Sequence, residues 1–273
     1  MIWPHATKQS PCPICGHEDW CTFGDRSVLC QRVESNSPAA KGGWYHRYGD
    51  EKPACIPKAK PAPSQVNVDK LVSLWNNSPI NHRDRSYEIA SMLGVSRPSI
   101  INLGCCYAPS YKAWAFPMSD GNGNYIGVRL RNNNGDKWAV TGSRQGIFLP
   151  IVVGDCVRIA MLPEGPTDTA ACLTLGFFAI GRPTCNSGGE FIKQALKRLG
   201  INRVIIVADN DNIKANGARP GLAGAIKLKK ELGLPSVIWM PPSPIKDVRE
   251  FLNKGGTKQM IENEIKNKVW SKS

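Results

Sequence analysis

The spacing of apolar residues divides the chain into stretches of different character. From Val157 onward, short and largely apolar runs alternate with segments of helical period. Val157–Leu162, Phe177–Ile180, Val204–Ala208 and Val237–Met240 read as strands. Thr167–Leu175, Gly189–Leu199 and Leu222–Leu232 read as the helices between them, with a helical tail at the end. Strands without a polar face, separated by helices, predict a parallel sheet covered on both sides. Upstream, from Val68 to Val153, helical patterning gives way to strands at Ala113–Pro117, Tyr125–Arg131 and Lys137–Val140. Turn-forming Asp120-Gly-Asn-Gly and Asn132-Asn-Asn-Gly-Asp136 separate these strands. The first fifty residues show little periodicity and are rich in Cys, Trp and Gly, and prolines and lysines dominate the stretch that follows. The expected organisation is a small β module over 1–50, a semi-extended linker over 51–67, a mixed α+β subdomain over 68–153 and a parallel α/β sheet over 154–273.

Composition narrows the classes of function. The 273 residues suffice for two domains, and 41% are hydrophobic, as in ordinary globular proteins. The sequence has no apolar run of membrane-spanning length, and its first ten residues lack the pattern of an export signal. A soluble, cytoplasmic protein with no membrane partner is therefore expected. The formal net charge of +13 favours a polyanionic partner, first of all nucleic acid.

Four of the ten cysteines fall in the first thirty residues, which suggests a metal site rather than a disulfide framework. Cys12-Pro-Ile-Cys15 is a knuckle that aims two thiolates at one ion. Cys21 and Cys30 flank a stretch that reads as a hairpin turning at Gly-Asp, so the four can surround Zn²⁺ tetrahedrally. An all-cysteine set leads, with His17 in place of Cys21 as the alternative. Four protein ligands leave no open position, so such a zinc would be structural. The nearby Trp20, Phe23, Trp44, Tyr45 and His46 suit either stacking on single-stranded DNA or a small core around the metal.

A second constellation is acidic. Ligands of open parallel sheets bind beyond the carboxyl ends of the strands. Glu164 follows one such strand, and Asp209 and Asp211 follow another. Carboxylates at i and i+2 past a strand end can share one hard cation, and Mg²⁺ is satisfied by a few carboxylates with water and phosphate oxygens. Glu164 would complete that site or act as a base, and Thr167 or Asp168 is expected to cap the following helix.

Glu164-Gly-Pro-Thr-Asp168 followed by Ala208-Asp-Asn-Asp211 resembles the TOPRIM signature. Lys246-Asp-Val-Arg-Glu-Phe-Leu252 resembles the third acidic segment of bacterial and phage primases and offers Asp247 as a further carboxylate. Phe116–Arg131 resembles the basic subdomain that precedes TOPRIM in those proteins, and the cysteine module resembles their zinc-binding domain. Along nearly its whole length the chain thus resembles the zinc-binding-plus-TOPRIM DNA primases. The fold so implied is α/β: a zinc-ribbon-like β module, a linker, a mixed α+β basic subdomain and a TOPRIM parallel sheet. The activity so implied is synthesis of short RNA primers on single-stranded DNA from ribonucleoside triphosphates. Glu164, Asp209, Asp211 and Asp247 would bind Mg²⁺ or Mn²⁺; Cys12, Cys15, Cys21 and Cys30 would bind structural Zn²⁺.

Arg129, Arg131, Lys137 and Arg144 would hold template or triphosphate, with Arg129 and Arg131 on one strand face. The segment 212–221 is longer than the glycine turn usual in primases. No P-loop motif is present and little chain follows Lys254, which points to a compact, stand-alone enzyme of a phage or mobile element. A helicase or polymerase would then act in trans. Ser86–Ile101 resembles a helix-turn-helix, but an ordinary helical pair is the expectation. Two alternatives stay open: a TOPRIM-type nuclease and a non-catalytic protein that binds single-stranded DNA.

Overall fold

The computed structural model describes residues 3–7, 9–24, 26–39, 42–47, 66–82, 85–154, 157–211, 219–266 and 268–270. The chain forms two compact units, Met1–Ser64 and Gln65–Ser273, and their boundary falls within the segment expected to be a linker. Most of that segment, and residues 212–218 of the long loop, lie outside the described residues.

The first unit is built on a three-stranded antiparallel meander of β1 (Thr22–Phe23), β2 (Ser27–Cys30) and β3 (Trp44–Arg47). Gly24 N–H donates to Ser27 O at 2.9 Å and closes the first turn. The core is very small: Ala6, Val28 and the four cysteines are buried, with Ile14, Phe23 and Val33 against them. So small an apolar core cannot hold a module of this size by itself. Apart from Phe23, the aromatic residues are not part of it. Trp20 is 74% exposed and Tyr45 44%.

The second unit opens with α1 (Val68–Asn76), α2 (Pro79–His82), α3 (Ser86–Leu93) and α4 (Arg97–Asn102). Asn67 and Ser96 cap α1 and α4 by accepting from backbone N–H groups, as N-cap side chains do. The pair α3 and α4 buries Ile89, Leu93 and Ile100 against Trp114, Phe116 and Phe148, as an ordinary helical pair would. An antiparallel sheet follows, in the order β4 (Cys106–Ala108), β5 (Ala113–Ser119), β6 (Tyr125–Arg131) and β7 (Lys137–Ala139). Asp120 accepts from the N–H groups of Asn122 and Asn124, which fixes the β5–β6 turn.

The remainder is β8 (Ile159–Leu162), α5 (Gly165–Thr174), α6 (Gly189–Arg198), β9 (Arg203–Val207), α7 (Pro220–Leu232), β10 (Ser236–Trp239), α8 (Val248–Asn253) and α9 (Lys258–Lys266). Strands β10, β9 and β8 form a parallel sheet in that order. Its alternate residues serve two cores. Val204 and Ile206 face α6 and α7, while Ile205 and Val207 face α5, α8 and α9.

Two local expectations are corrected. Phe177–Ile180 is not a full strand: the segment runs parallel beside β8 with isolated bridges at Ala179 and Arg182, and Gly181 pairs with Phe148 on its other side. Helix α5 begins at Gly165 rather than Thr167. Gly165 takes φ +72° and Pro166 sits in the first turn, where its missing N–H costs nothing, so neither Thr167 nor Asp168 is the cap. Among the described residues, no helix is long and apolar enough to cross a membrane.

Candidate functional site

In the first unit the sulfur atoms of Cys12, Cys15, Cys21 and Cys30 all lie within 4.8 Å of one another, and all four residues are buried. Cys15 Sγ is 3.7 Å from Cys21 Sγ, which is 4.0 Å from Cys30 Sγ. A tetrahedron with Zn–S bonds of about 2.3 Å has edges of about 3.8 Å, so the cluster fits zinc. The sulfurs also accept hydrogen bonds, from Gln31 N to Cys21 at 3.4 Å and from Val33 N to Cys30 at 3.3 Å. Such donors stabilise thiolates. His17 is exposed, and its Nδ1 lies 3.0 Å from Cys15 O, outside the cluster. The all-cysteine set is therefore the one that closes. A separate cavity of about 770 Å³ in this unit is lined by Trp3, Asn36, Tyr45, His46 and Arg47 among others.

In the second unit a cavity of about 260 Å³ lies beyond the carboxyl ends of β8 and β9. Glu164, Asp168, Asp209 and Asp247 line it, with Arg129, Lys137 and Lys246 as cations. Each residue has a distinct local reason for its place. Glu164 is the N-cap residue of α5, yet its side chain makes no capping bond and remains available. Its backbone pairs with Arg182: Gly165 N–H donates to Arg182 O at 2.7 Å, and Arg182 N–H to Pro163 O at 2.8 Å.

Asp209 leaves the sheet just after β9, and its Oδ1 is buried without a hydrogen-bond partner. Asp211 Oδ2 accepts from Gly221 N at 3.2 Å. A Cβ at Gly221 would come within 2.6 Å of Asp209 O, so the loop can return to the site there only through a glycine. Asn210 ties this segment to the next acidic one, through N–H to Lys246 O at 2.7 Å and Nδ2 to Ile245 O at 3.2 Å. Asp247 caps α8, with Oδ1 accepting from Glu250 N at 2.7 Å.

Asp168, expected as a cap, is instead a buried carboxylate one turn into α5, accepting from Arg249 N at 3.2 Å. The negative charges disturb one another. Burial first, and then Glu164, Asp247 and Asp211, push Asp209 up to about 7. Burial, followed by Asp247 and Asp209, takes Asp168 well above the usual carboxylate range. Glu164 is raised by burial against the opposing pull of Arg182. Carboxylates that raise one another's pKa despite the nearby cations, one of them with an orphaned oxygen, fit a divalent cation. Among the described residues no set of three acidic side chains lies as close as the four cysteines. An open arrangement of that kind suits Mg²⁺, which keeps waters and phosphate oxygens in its shell.

The proposed nucleic-acid and triphosphate residues separate. Arg129 and Lys137 reach the cavity. Arg131 stands opposite Lys137 in the β6–β7 ladder but does not line the cavity. Its Nε is buried without a partner, and burial and then Arg249 lower its pKa. Lys137 is exposed overall, yet burial around its ammonium, then Arg131 and Arg249, lower its pKa too. Arg144 is exposed and is not among the cavity residues; its backbone N–H bonds to Ile126 O at 2.9 Å. Sequence reasoning missed Lys246, Arg249 and Arg182. For Arg182 the only signal was a basic residue just past an apolar run, in Ala179-Ile-Gly-Arg-Pro183.

No protein-family model and no curated protein sequence matches the chain. Solved structures do. A DnaG catalytic core superposes with a TM-score of 0.53 at 16% identity, covering 72% of this chain and 77% of that one. The Escherichia coli primase catalytic core gives 0.52 at 15% identity, over 72% and 78%. The Aquifex aeolicus primase, comprising zinc-binding and RNA polymerase domains, gives 0.55 at 16% identity, over 71% and 58%. At these identities the likeness defines the fold, which is that of DnaG-type primase catalytic cores. The share of this chain covered is no more than the second unit accounts for, so the cysteine module rests on its own geometry.

Proposed function

We propose that the protein is a DNA primase, synthesising short RNA primers on single-stranded DNA. The observation that carries this reading is the cavity itself. In a primase-core fold, three strand-end and helix-end carboxylates (Glu164, Asp209 and Asp247) face Arg129 and Lys137 of the antiparallel sheet. Glu164, Asp209, Asp211 and Asp247 would hold Mg²⁺ or Mn²⁺. Such an ion would acidify a primer 3′-hydroxyl and offset charge on the transferring phosphoryl group. Arg129 and Lys137 bind the triphosphate from the opposite wall, with Arg131 behind them. Glu164, whose carboxylate is spared from capping, either completes the cation site or accepts the hydroxyl proton. The template is bound through the overall charge of +13. A DnaG catalytic domain with a TM-score of 0.53 to this chain was solved bound to single-stranded DNA, and the same ligand class is assigned here. The exposed Tyr45 and its neighbours in the zinc-type module suit stacking on bases.

The test is an incubation with single-stranded DNA, ribonucleotides and Mg²⁺ or Mn²⁺, with products resolved by size. Short RNAs are expected, falling about a hundredfold or more in Asp209→Asn. Cleavage of the template without synthesis would establish the nuclease reading instead. Tight binding with neither activity would leave an accessory role.

A further inference from the structure

Arg182 has no part in the residues assigned so far, and its surroundings are unusual. It is the only arginine among the large, fully buried side chains of the described residues, at 1% exposure. Its guanidinium reaches across the sheet edge and donates from Nη2 to Val207 O at 2.7 Å and from Nη1 to Cys185 O at 3.2 Å. Val207 ends β9, two residues before Asp209, while the Arg182 backbone is bridged to Glu164. One side chain thus spans from the partner segment of Glu164 to the strand that delivers Asp209. Among the described residues it makes no ion pair within 4.0 Å, and its Nε is buried without a partner. Burying a guanidinium is costly, and two carbonyl bonds do not offset that cost by themselves. Burial lowers the arginine's pKa, and the fields of Glu164 and Asp209 oppose that shift in part.

We propose that Arg182 is a fixed internal counter-ion of the acidic centre, a positioning residue that neutralises its sheet side and leaves the cavity side to a divalent cation. The inference rests on reading that centre as a cation site. Among the described residues, the hydrogen bonds of Arg182 go to backbone carbonyls and none to a carboxylate, so the carboxylate oxygens keep their lone pairs for an exchangeable ion. Lys137 and Lys246 differ from it in lying at the exposed surface, whereas Arg182 is buried. With a permanent charge built in, the centre needs less mobile positive charge to assemble. Removing it leaves the carboxylates to draw in more.

The experiment is a titration with Mn²⁺, followed by electron paramagnetic resonance, on the full zinc-loaded chain and on Arg182→Met, Arg182→Lys and Asp209→Asn. The wild type is expected to bind Mn²⁺ in a manner that Asp209→Asn abolishes. Arg182→Met should bind it about tenfold more tightly or more, or take up a further ion, since a like charge beside the site has gone. Arg182→Lys, which keeps the charge and loses the fork, should match the wild type. If Arg182→Met does not fold without metal, recovery of a cooperative melt on adding Mn²⁺ supports the proposal, because the ion replaces the missing charge. If it folds under no condition, Arg182→Lys decides: wild-type binding supports the proposal, and lost binding overturns it. A folded Arg182→Met with wild-type affinity overturns it, as do equal losses in the Met and Lys variants, which would make Arg182 a strut for the 181–185 turn. Wild-type protein that binds no Mn²⁺, or binds it independently of Asp209, removes the acidic centre as a cation site, and the proposal falls with it.

Discussion

The molecule holds two side-chain clusters, one of thiols and one of carboxylates, built on opposite principles. The four cysteines come from a knuckle and a hairpin within twenty residues, close to within 4.8 Å, and are buried with backbone N–H groups already on sulfur. The carboxylates come from four separate places: the end of β8, the first turns of α5, the end of β9 and the cap of α8. They stand apart around a cavity, and one oxygen of Asp209 has no partner at all. A closed and satisfied cage suits an ion that folds a small module and is never exchanged. An open cluster whose carboxylates crowd one another suits an ion that arrives with phosphate oxygens and leaves with them. The difference between the two is the strain each carries without metal, and that can be measured.

The largest effect belongs to the closed cluster. Structural zinc in small modules contributes about 10–16 kcal/mol to folding, and the first unit has almost no apolar core to fall back on. Cys21→Ser, or exhaustive chelation, should unfold residues 1–47 and drop bound zinc from one equivalent to almost none, with the melt of the second unit unchanged. Limited proteolysis with metal analysis reads both. Loss of zinc with the module still folded would break the contrast, since the cluster would then not be structural.

The open cluster predicts the reverse sign. Asp209 is held at about 7 in the folded chain by burial and three neighbouring carboxylates. Between the usual aspartate value and 7, the folded state keeps a proton that the unfolded chain has released. Stability of the chelator-treated second unit therefore falls as pH rises from about 4 to 7, and levels off above. Asp209→Asn should flatten that decline and raise the melting temperature at pH 8, by about 2–4 °C per kcal/mol of repulsion relieved. Added Mg²⁺ should restore stability to the wild type and not to the variant. An active-site substitution that stabilises the empty protein would mark the cluster as functional. Thermal melts across pH that coincide for the two proteins would count against it.

Much of this was legible from local pattern, and the failures have physical causes. The run Val204–Ala208 gave a strand within one residue of β9, because buried parallel strands are apolar on both faces. Asp209 and Asp211 were placed by that strand alone. Asp168 was expected to cap a helix starting near Thr167, whereas a proline is tolerated in the first turn and the helix starts at Gly165. The helix carries Asp168 inward, among carboxylates that only the tertiary fold brings near. Arg182 was invisible for a related reason. An arginine beside a proline looks like a solvated turn residue, and only the pairing of this segment alongside β8 and Glu164 brings it to Val207 O. Arg144, chosen for its basic character, lies outside the cavity, its backbone N–H bonded to Ile126 O.

That last contrast gives the smallest and most discriminating prediction. Lys137 and Arg144 belong to the same basic subdomain, and sequence alone gives no ground to rank them. Lys137 lines the cavity, and its ammonium is crowded by Arg131 and Arg249, so an anion placed there relieves repulsion as well as forming its own contact. Arg144 is exposed and outside that cavity, and an isolated surface charge contributes little. Lys137→Ala should raise KM for ribonucleotides about tenfold, near 1.4 kcal/mol. Arg144→Ala should change it by less than about twofold, with any loss of template affinity vanishing at high salt. If both variants respond alike, the cavity does not define the triphosphate path and general basicity carries the binding. If only Lys137→Ala responds, the wall facing the carboxylates is the one that holds the substrate.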